Sequence, residues 1–440
     1  MNLYSIFAKP KQIIMIQEIR IKNFLSFKDE TVFSFDASND KFAEEYQVVK
    51  INDNTRLLRF AIVYGYNASG KTNLIRAFDF LTYFWSNSTK DLNEATQAAP
   101  FKLDIISRKE HSKLELVFWV GNIKYWYRLE LDESQVYFER LDYYKTTQPA
   151  MLFERTLKGI QSVIRYGSSV KIDSIEQKKI SVECLKNMSF FAARNQANVS
   201  IPLLDDAKRW LEMHVMDAVM PSTNLTRWAQ RKLSNYTDLP HHLLEFLKEA
   251  DFNITGIETN IVEKPIDENV LELLMHTPLP QETKDQLNEE RSMTHRQTIF
   301  EHTVENSRGQ EKYHLVADDG EESRGTMRTF GLETALFSAV KNNAFLPVDE
   351  IETSLHPKLL EKILFEFLKT NSKSQLIITT HNDGLLDLVG DLFRKDAVWF
   401  TEKNKSGGTE IYKLTDFRGV NRLASIREAY RNKRFGATMN

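Results

Sequence analysis

Runs of alternating apolar and polar residues share this chain with apolar blocks and with stretches spaced for helices. Met15–Ile21 alternates, which predicts a half-exposed strand, and Thr31–Phe35 predicts a second. Residues 36–54 are polar and read as loop. Leu57–Tyr64 is mostly apolar and reads as one buried strand. Leu74, Ala77, Phe78 and Leu81 then fall at helical spacing. Lys113–Val120 and Ile123–Leu131 flank Gly121-Asn122, a hairpin signal, and Val136–Tyr144 continues as a strand. An antiparallel side lobe is therefore expected. From about 180 to 250 the spacing is helical, as in Leu203–Leu211 and His242–Lys248. Glu263–Met293 is highly charged and poor in aromatics, an exposed arm, and Gln297–Val316 returns to strand pattern. Two apolar segments, Asn343–Val348 and Gln375–Thr379, read as buried strands. No heptad run is sustained long enough for a long coiled coil, and no internal repeat is found.

A chain of 440 residues holds two or three ordinary domains, or one domain with a large insertion. Hydrophobic residues at 42% and charged residues at 27% are those of a globular chain with a large core. The net charge of -3 argues against general affinity for nucleic acid, so such contact would need a local patch. The single cysteine, Cys184, excludes an intrachain disulfide and a cysteine-based zinc site, which fits a reducing cytoplasm. No run approaches the roughly 18 apolar residues of a membrane span.

Between the apolar block and the first helix stands Gly65-Tyr66-Asn67-Ala68-Ser69-Gly70-Lys71-Thr72. It fits G-x-x-x-x-G-K-[ST], and the strand–loop–helix setting is the one this P-loop requires. Gly65 and Gly70 permit close backbone approaches. The N–H groups of Asn67, Ala68, Ser69, Gly70 and the following residues through Asn73 would form an anion nest at a helix N-terminus. Lys71 would reach the β- and γ-phosphates of ATP, and the Thr72 hydroxyl would ligate Mg²⁺.

A second constellation lies far downstream. Asn343–Val348 ends in Asp349 and Glu350. Taken alone, two acids after an apolar run are a solvated strand end. With a P-loop upstream they read as a Walker B pair, Asp349 holding Mg²⁺ and Glu350 deprotonating the attacking water. Pro347 breaks the ideal strand pattern. Ser323-Arg324-Gly325 stands before a helix of good spacing, either an ordinary serine cap or an anion-binding helix start. Its place just before the acidic pair favours the second. Gln375–Thr380 ends at His381.

The order P-loop, long insertion, Ser323-x-Gly325, Asp349-Glu350, His381 resembles the ABC-type ATPase heads. That resemblance makes His381 the switch histidine contacting the γ-phosphate, and Ser323 and Gly325 a degenerate signature acting on a second copy's nucleotide. Glu352–Pro357 matches the D-loop region. Ile19–Phe24 looks like the opening of the recombination and chromosome-maintenance branch. Val398–Lys403, Gly408–Phe417 and Arg434–Ala437 look like the stand-alone AAA/ABC-hybrid ATPases of bacterial abortive-infection and overcoming-lysogenization-defect type anti-phage systems. The resemblance covers about 15–89 and 322–437. Leu25 stands where many relatives carry an arginine, and Gln97 and Gln196 are candidates for the Q-loop glutamine.

The expected fold class is α/β: a P-loop NTPase of the ABC-type ATPase head, with a mixed sheet core, an antiparallel β side lobe and an inserted helical lobe. The expected division is an extension (1–14), a first core half (15–100), an insertion (101–330) and a second core half with a basic tail (331–440). The expected function is Mg²⁺-dependent ATP hydrolysis by a cytoplasmic homodimer or higher homo-oligomer that gates a separately encoded nuclease or toxin in anti-phage defence. The trigger would be a phage protein or nucleic acid. The alternatives are a DNA-repair or chromosome-maintenance ATPase, and a regulatory nucleotide-binding module with little turnover. The 59 residues after His381 are too few for the fused metal nuclease of some relatives, and their acids form no Asp-x-Asp pair. Asp383, Asp387 and Asp391 read as the polar face of a helix. The basic residues from Arg418 to Arg434 read as a solvated face or a docking surface.

Overall fold

The computed structural model describes residues 13–195, 200–250, 253–277, 281–307, 309–317 and 320–438. Gln196 and most of the expected N-terminal extension lie outside the described residues. Strand β1 (Ile14–Lys22) pairs antiparallel with β2 (Thr31–Ser34). The segment 36–54, read as loop, contains a short helix α1 (Glu44–Gln47) and strand β3 (Val48–Asn52), which pairs with β4 (Thr55–Leu58). Its apolar positions are too few to show a period. They gain their meaning from distant partners, since Ile51 and Leu57 pack with Met15 and Trp119.

The apolar run 57–64 is likewise two strands in different sheets. Arg59 separates β4 from β5 (Phe60–Tyr64). Its buried guanidinium donates to the carbonyls of Tyr46, Thr370 and Ser374. A buried charge needs such partners, and the ordered turn they fix ends one ladder before the next begins. Every residue of β5 is buried. The P-loop follows, then α2 (Lys71–Ser86), whose face Leu74, Ala77, Phe78, Leu81 and Trp85 is buried.

The hairpin expected at Gly121-Asn122 is present, with Gly121 in the left-handed region. It joins β6 (Ser112–Val120) to β7 (Ile123–Leu131), and the sheet continues through β8 (Val136–Tyr144), β9 (Ala150–Lys158) and β10 (Gln161–Tyr166). This sheet is not closed on itself as a lobe. It runs β10-β9-β8-β7-β6-β1-β2, so the first two strands of the chain extend it. Helices α3 (Ser174–Glu183), α4 (Phe190–Arg194) and α5 (Pro202–His214) follow.

The chain divides into two units, one of Met1–Pro221, Ser338–Thr353 and Leu360–Asn440, the other of Ser222–Phe337 and Ser354–Leu359. Of the expected insertion 101–330, residues 222–330 belong to the second unit. In the second unit, α6 (Leu225–Leu233) and α7 (Leu239–Glu249) precede β11 (Ile254–Pro265), α8 (Glu268–Met275), α9 (Gln281–Glu290), β12 (Ser292–Asn306) and β13 (Gly309–Val316). These strands form a three-stranded antiparallel sheet in the order β11-β12-β13. The charged arm is thus a long ribbon enclosing two helices, and its outer part is polar because it is exposed. The unit's core is Ala229, Leu233, Leu239, Leu243, Leu247, Ile254, Phe300 and Phe330, the last on α10 (Arg324–Asn342).

The remaining strands assemble around β5. They are β14 (Phe345–Val348), β15 (Gln375–Thr380), β16 (Val398–Lys403) and β17 (Thr409–Lys413), with α11 (Pro357–Lys369) and α12 (Ile426–Arg431). The order is β14-β15-β5-β16-β17, parallel except for β17. Pro347 is tolerated because β14 is an edge strand, where a missing N–H disturbs no central ladder. The fold is α/β, with a P-loop leaving the mixed sheet core at β5, an antiparallel sheet and helical segments.

Candidate functional site

The P-loop connects the C-terminal end of β5 to the N-terminus of α2. Ala68 and Gly70 take positive φ values of 64° and 117°, which turn successive N–H groups into the concavity. A Cβ on Gly65 would collide with Ser69 and Thr401, and one on Gly70 with the Thr409 side chain. Lys71 is buried and its Nζ donates to the Gly65 and Tyr66 carbonyls at 2.8 and 3.3 Å. Burial pushes its ammonium down to about 8, against the opposing pull of Asp349, Glu350 and Glu352.

The parallel order places the ends of β14 and β15 beside this loop. Thr72 Oγ1 donates to Asp349 Oδ2 at 2.9 Å. Asp349 is 1% exposed, so its second oxygen also needs a donor, and Thr379 Oγ1 supplies it at 2.6 Å. The same Thr379 hydroxyl accepts the Glu350 N–H at 2.9 Å. Glu350 has a φ of +45°, an unusual conformation for a side-chain-bearing residue, fixed here by that bond. Its Oε1 lies 3.6 Å from His381 Nε2, which lies 3.1 Å from Lys71 Nζ. The His381 N–H donates to Glu352 Oε1 at 2.5 Å. Lys71, Thr72, Asp349, Glu350 and His381 thus converge from three segments, while Asn67 and Ala68 are exposed on the loop.

Several participants escaped the sequence reading. Thr379 ties both acids together, yet in the sequence it is one of two threonines closing an apolar strand. On the other flank, Asn73 Nδ2 donates to Ser26 Oγ at 2.7 Å, and Thr409 Oγ1 donates to the Ser69 carbonyl at 2.9 Å and lies 2.8 Å from Ser26 Oγ. Ser69 Oγ lies 2.7 Å from Thr401 Oγ1. Only Thr401, a polar residue in the buried part of β16, could have signalled this.

Ser323 and Gly325 lie in the second unit. Ser323 caps α10, its Oγ accepting the Thr326 N–H at 3.0 Å, and Gly325 falls inside the first helical turn rather than before it. A Cβ on Gly325 would stand 3.2 Å from the Ser354 carbonyl. Gln97 takes a positive φ of 67°. The basic tail is solvated, with Arg418, Arg422, Arg431, Lys433 and Arg434 exposed. Arg427 pairs with Asp383 and Asp387, and Arg431 with Asp383. Asp383–Leu388 is a 3-10 helix, so the every-fourth-residue acids are not one α-helical face.

The donor set fits a nucleotide with a hard divalent cation. The cradle is bare of side chains at the two glycines, and Lys71 supplies a phosphate cation. Thr72 Oγ1 and the Asp349 carboxylate supply the paired oxygens that Mg²⁺ prefers.

The solved structures similar to this chain include the following three. "SMC head domain from Thermotoga maritima" shares 13% identity over 90% of this chain and 98% of its own, with a TM-score of 0.38. "Crystal structure of the SmcHead bound to the C-winged helix domain of ScpA" shares 12% over 94% and 99%, with a TM-score of 0.41. The Smc head with an extended coiled coil bound to the C-terminal domain of ScpA, from Pyrococcus furiosus, shares 12% over 96% and 99%, with a TM-score of 0.39. No curated protein matches the chain. Among the described residues no helix is long and apolar enough to cross a membrane. A family profile covers both the P-loop and the acidic pair, matching residues 60–387. The chain belongs to that family of P-loop ATPases, described as "AAA domain, putative AbiEii toxin, Type IV TA system".

Proposed function

We propose that the protein binds and hydrolyses ATP with Mg²⁺, two copies enclosing the nucleotide, and that this cycle gates a separately encoded effector in anti-phage defence. The observation that carries the enzymatic part is the continuous chain Thr72–Asp349–Thr379–Glu350, with His381 between Glu350 and Lys71. Lys71 and the loop N–H groups bind and orient the triphosphate. Thr72 and Asp349 would hold Mg²⁺, which would neutralise phosphate charge when bound. Glu350 takes the proton from the attacking water, and His381 contacts the terminal phosphate. Ser323 and Gly325 act on the nucleotide held by the other copy, as a helix N-terminus suits an anion.

The defence role is supported by the family's description, which names a toxin and a toxin–antitoxin system, and the effector would be a nuclease or toxin encoded elsewhere. The tail favours this over a DNA-gripping role, because Arg427 and Arg431 are engaged by Asp383 and Asp387. The test is Mg²⁺-dependent phosphate release from ATP by purified protein. Lys71→Ala should lower nucleotide affinity by roughly tenfold or more, the scale of a lost charge-assisted contact. Unchanged affinity in that variant defeats the reading.

A further inference from the structure

The basic residues near the end of the chain divide into two sets. Arg427 and Arg431 are answered by Asp383 and Asp387. Among the described residues, Arg418, Arg422 and Arg434 form no ion pair, and neither does Lys395. Lys395, Arg418 and Arg422 line one cavity of about 620 Å³, together with Thr415, Phe417 and Val420. That volume suits a nucleotide-sized molecule. No P-loop residue lines it, nor do Asp349, Glu350 and His381. Its lining holds no carboxylate, in a chain whose net charge is -3. The acids next to it in sequence are turned elsewhere. Asp416 Oδ2 accepts the Lys413 N–H at 2.8 Å, and buried Asp396 pairs with Arg394 at 2.8 Å. Lys395 Nζ donates to the Asn421 amide oxygen at 2.8 Å, a neutral acceptor that leaves the ammonium charge uncompensated. Arg434 Nη2 donates to the Arg418 carbonyl at 3.4 Å, which brings a fourth cation to the same turn.

Gly419 has a φ of 77°, in the region that favours glycine, and turns the chain so that Arg418 and Arg422 line the same cavity. Like charges gathered around one concavity repel, and its low-dielectric walls focus their field on an anion. The adjoining cavity, of about 310 Å³, shares Lys395 and Val420 but carries Asp387 and Asp391. Those acids disfavour phosphate there, so the anionic end of a ligand belongs against the arginines. Phe417 and Val420 offer its other end an apolar wall. We propose that the Thr415–Arg422 cavity binds a nucleoside phosphate, its phosphate held by Arg418, Arg422 and Lys395 and its base against Phe417. A guanidinium matches phosphate with two parallel hydrogen bonds, and an aromatic side chain suits any base. This site is separate from the P-loop and does not depend on ATP hydrolysis there.

The test is calorimetric titration of the full chain at low salt with AMP, adenosine and a 5′-phosphorylated trinucleotide. AMP lacks the β- and γ-phosphates that Lys71 would hold, so it reports weakly on the P-loop. Arg418→Gln combined with Arg422→Gln should weaken AMP binding roughly tenfold or more. ATP turnover and melting temperature should stay unchanged, because both arginines are exposed and stand outside the P-loop and the acidic pair. Lys395→Gln should weaken AMP binding as well, and added salt should weaken it in the parent. Three results overturn the proposal: neither phosphate probe binds, adenosine binds as tightly as AMP, or the double variant keeps the parental affinity. A trinucleotide held more tightly than AMP, and lost in the double variant, assigns the phosphate to a strand end. The reverse order assigns it to a free nucleotide.

Discussion

Thr72 and Asp349 are joined by a 2.9 Å hydrogen bond across 277 residues of sequence. One ends the P-loop and the other ends an edge strand two places from β5 in the sheet. The bond holds two oxygen ligands at one point, where a divalent cation would take the place of the hydrogen bond while the Thr72 hydroxyl keeps its proton. Thr72→Val and Asp349→Asn should each raise the Mg²⁺ needed for half-maximal ATP turnover by roughly tenfold or more. The double variant should be little worse than the poorer single one, because neighbours sharing a ligand are not additive. Fully additive losses in an Mg²⁺ titration would show that the two act separately.

Glu350→Gln should retain ATP binding while turnover falls roughly 10²- to 10⁴-fold, the range of a lost general base. Glutamine keeps the shape and the contact toward His381, so the ATP-bound dimer should accumulate. Size measured by light scattering with and without ATP checks this. Turnover at the parental rate would remove Glu350 from the role of base.

Thr379→Val keeps volume and removes a hydroxyl that donates to Asp349 and accepts from the Glu350 N–H. Two buried groups then lack a partner, which should lower stability by about 1–3 kcal/mol. Turnover should fall roughly ten- to hundredfold as Glu350 loses its backbone anchor, with nucleotide affinity less affected. Denaturant unfolding and a comparison of turnover with ATP affinity separate the two effects.

Gly70 combines a φ of 117° with the Thr409 side chain standing where a Cβ would go. Gly70→Ala should cost about 1–3 kcal/mol from backbone strain, with the collision in addition. Thr409→Ala should remove the two closest contacts, leaving its Cβ at 2.9 Å and the strain, so the double variant should recover part of the melting temperature. No recovery would place the whole effect in the backbone.

Asp383 is held below its ordinary carboxyl value of 3.8, chiefly by its hydrogen bond from Arg431 and further by Arg427. A depressed carboxylate stabilises the fold above its unfolded value, and the gain is lost as pH falls through the lower folded value. Arg431→Gln should therefore reduce stability only slightly at neutral pH, as exposed ion pairs contribute little. The melting-temperature gap from the parent should close as the pH drops below about 4. A gap that persists into acid would assign the loss to packing.

The sequence by itself determined the P-loop, the strand before it, the helix after it and the Gly121 hairpin. These depend on contacts within a few residues, where glycine placement and hydrophobic period set the backbone directly. The acidic pair was legible only in company with the P-loop, since Asp349 and Glu350 alone resemble any solvated strand end. Tertiary structure decided the rest. The order β14-β15-β5 brings Asp349, Thr379 and His381 to Lys71 and Thr72, and no local period encodes which parallel strands become neighbours. The break at Arg59 needed carbonyl acceptors from Tyr46, Thr370 and Ser374 to become visible. The union of β1 and β2 with the later antiparallel sheet needed Ile14–Lys22 to pair with a strand about a hundred residues away. Alternation tells which face of a strand is buried, but only the folded chain chooses what buries it.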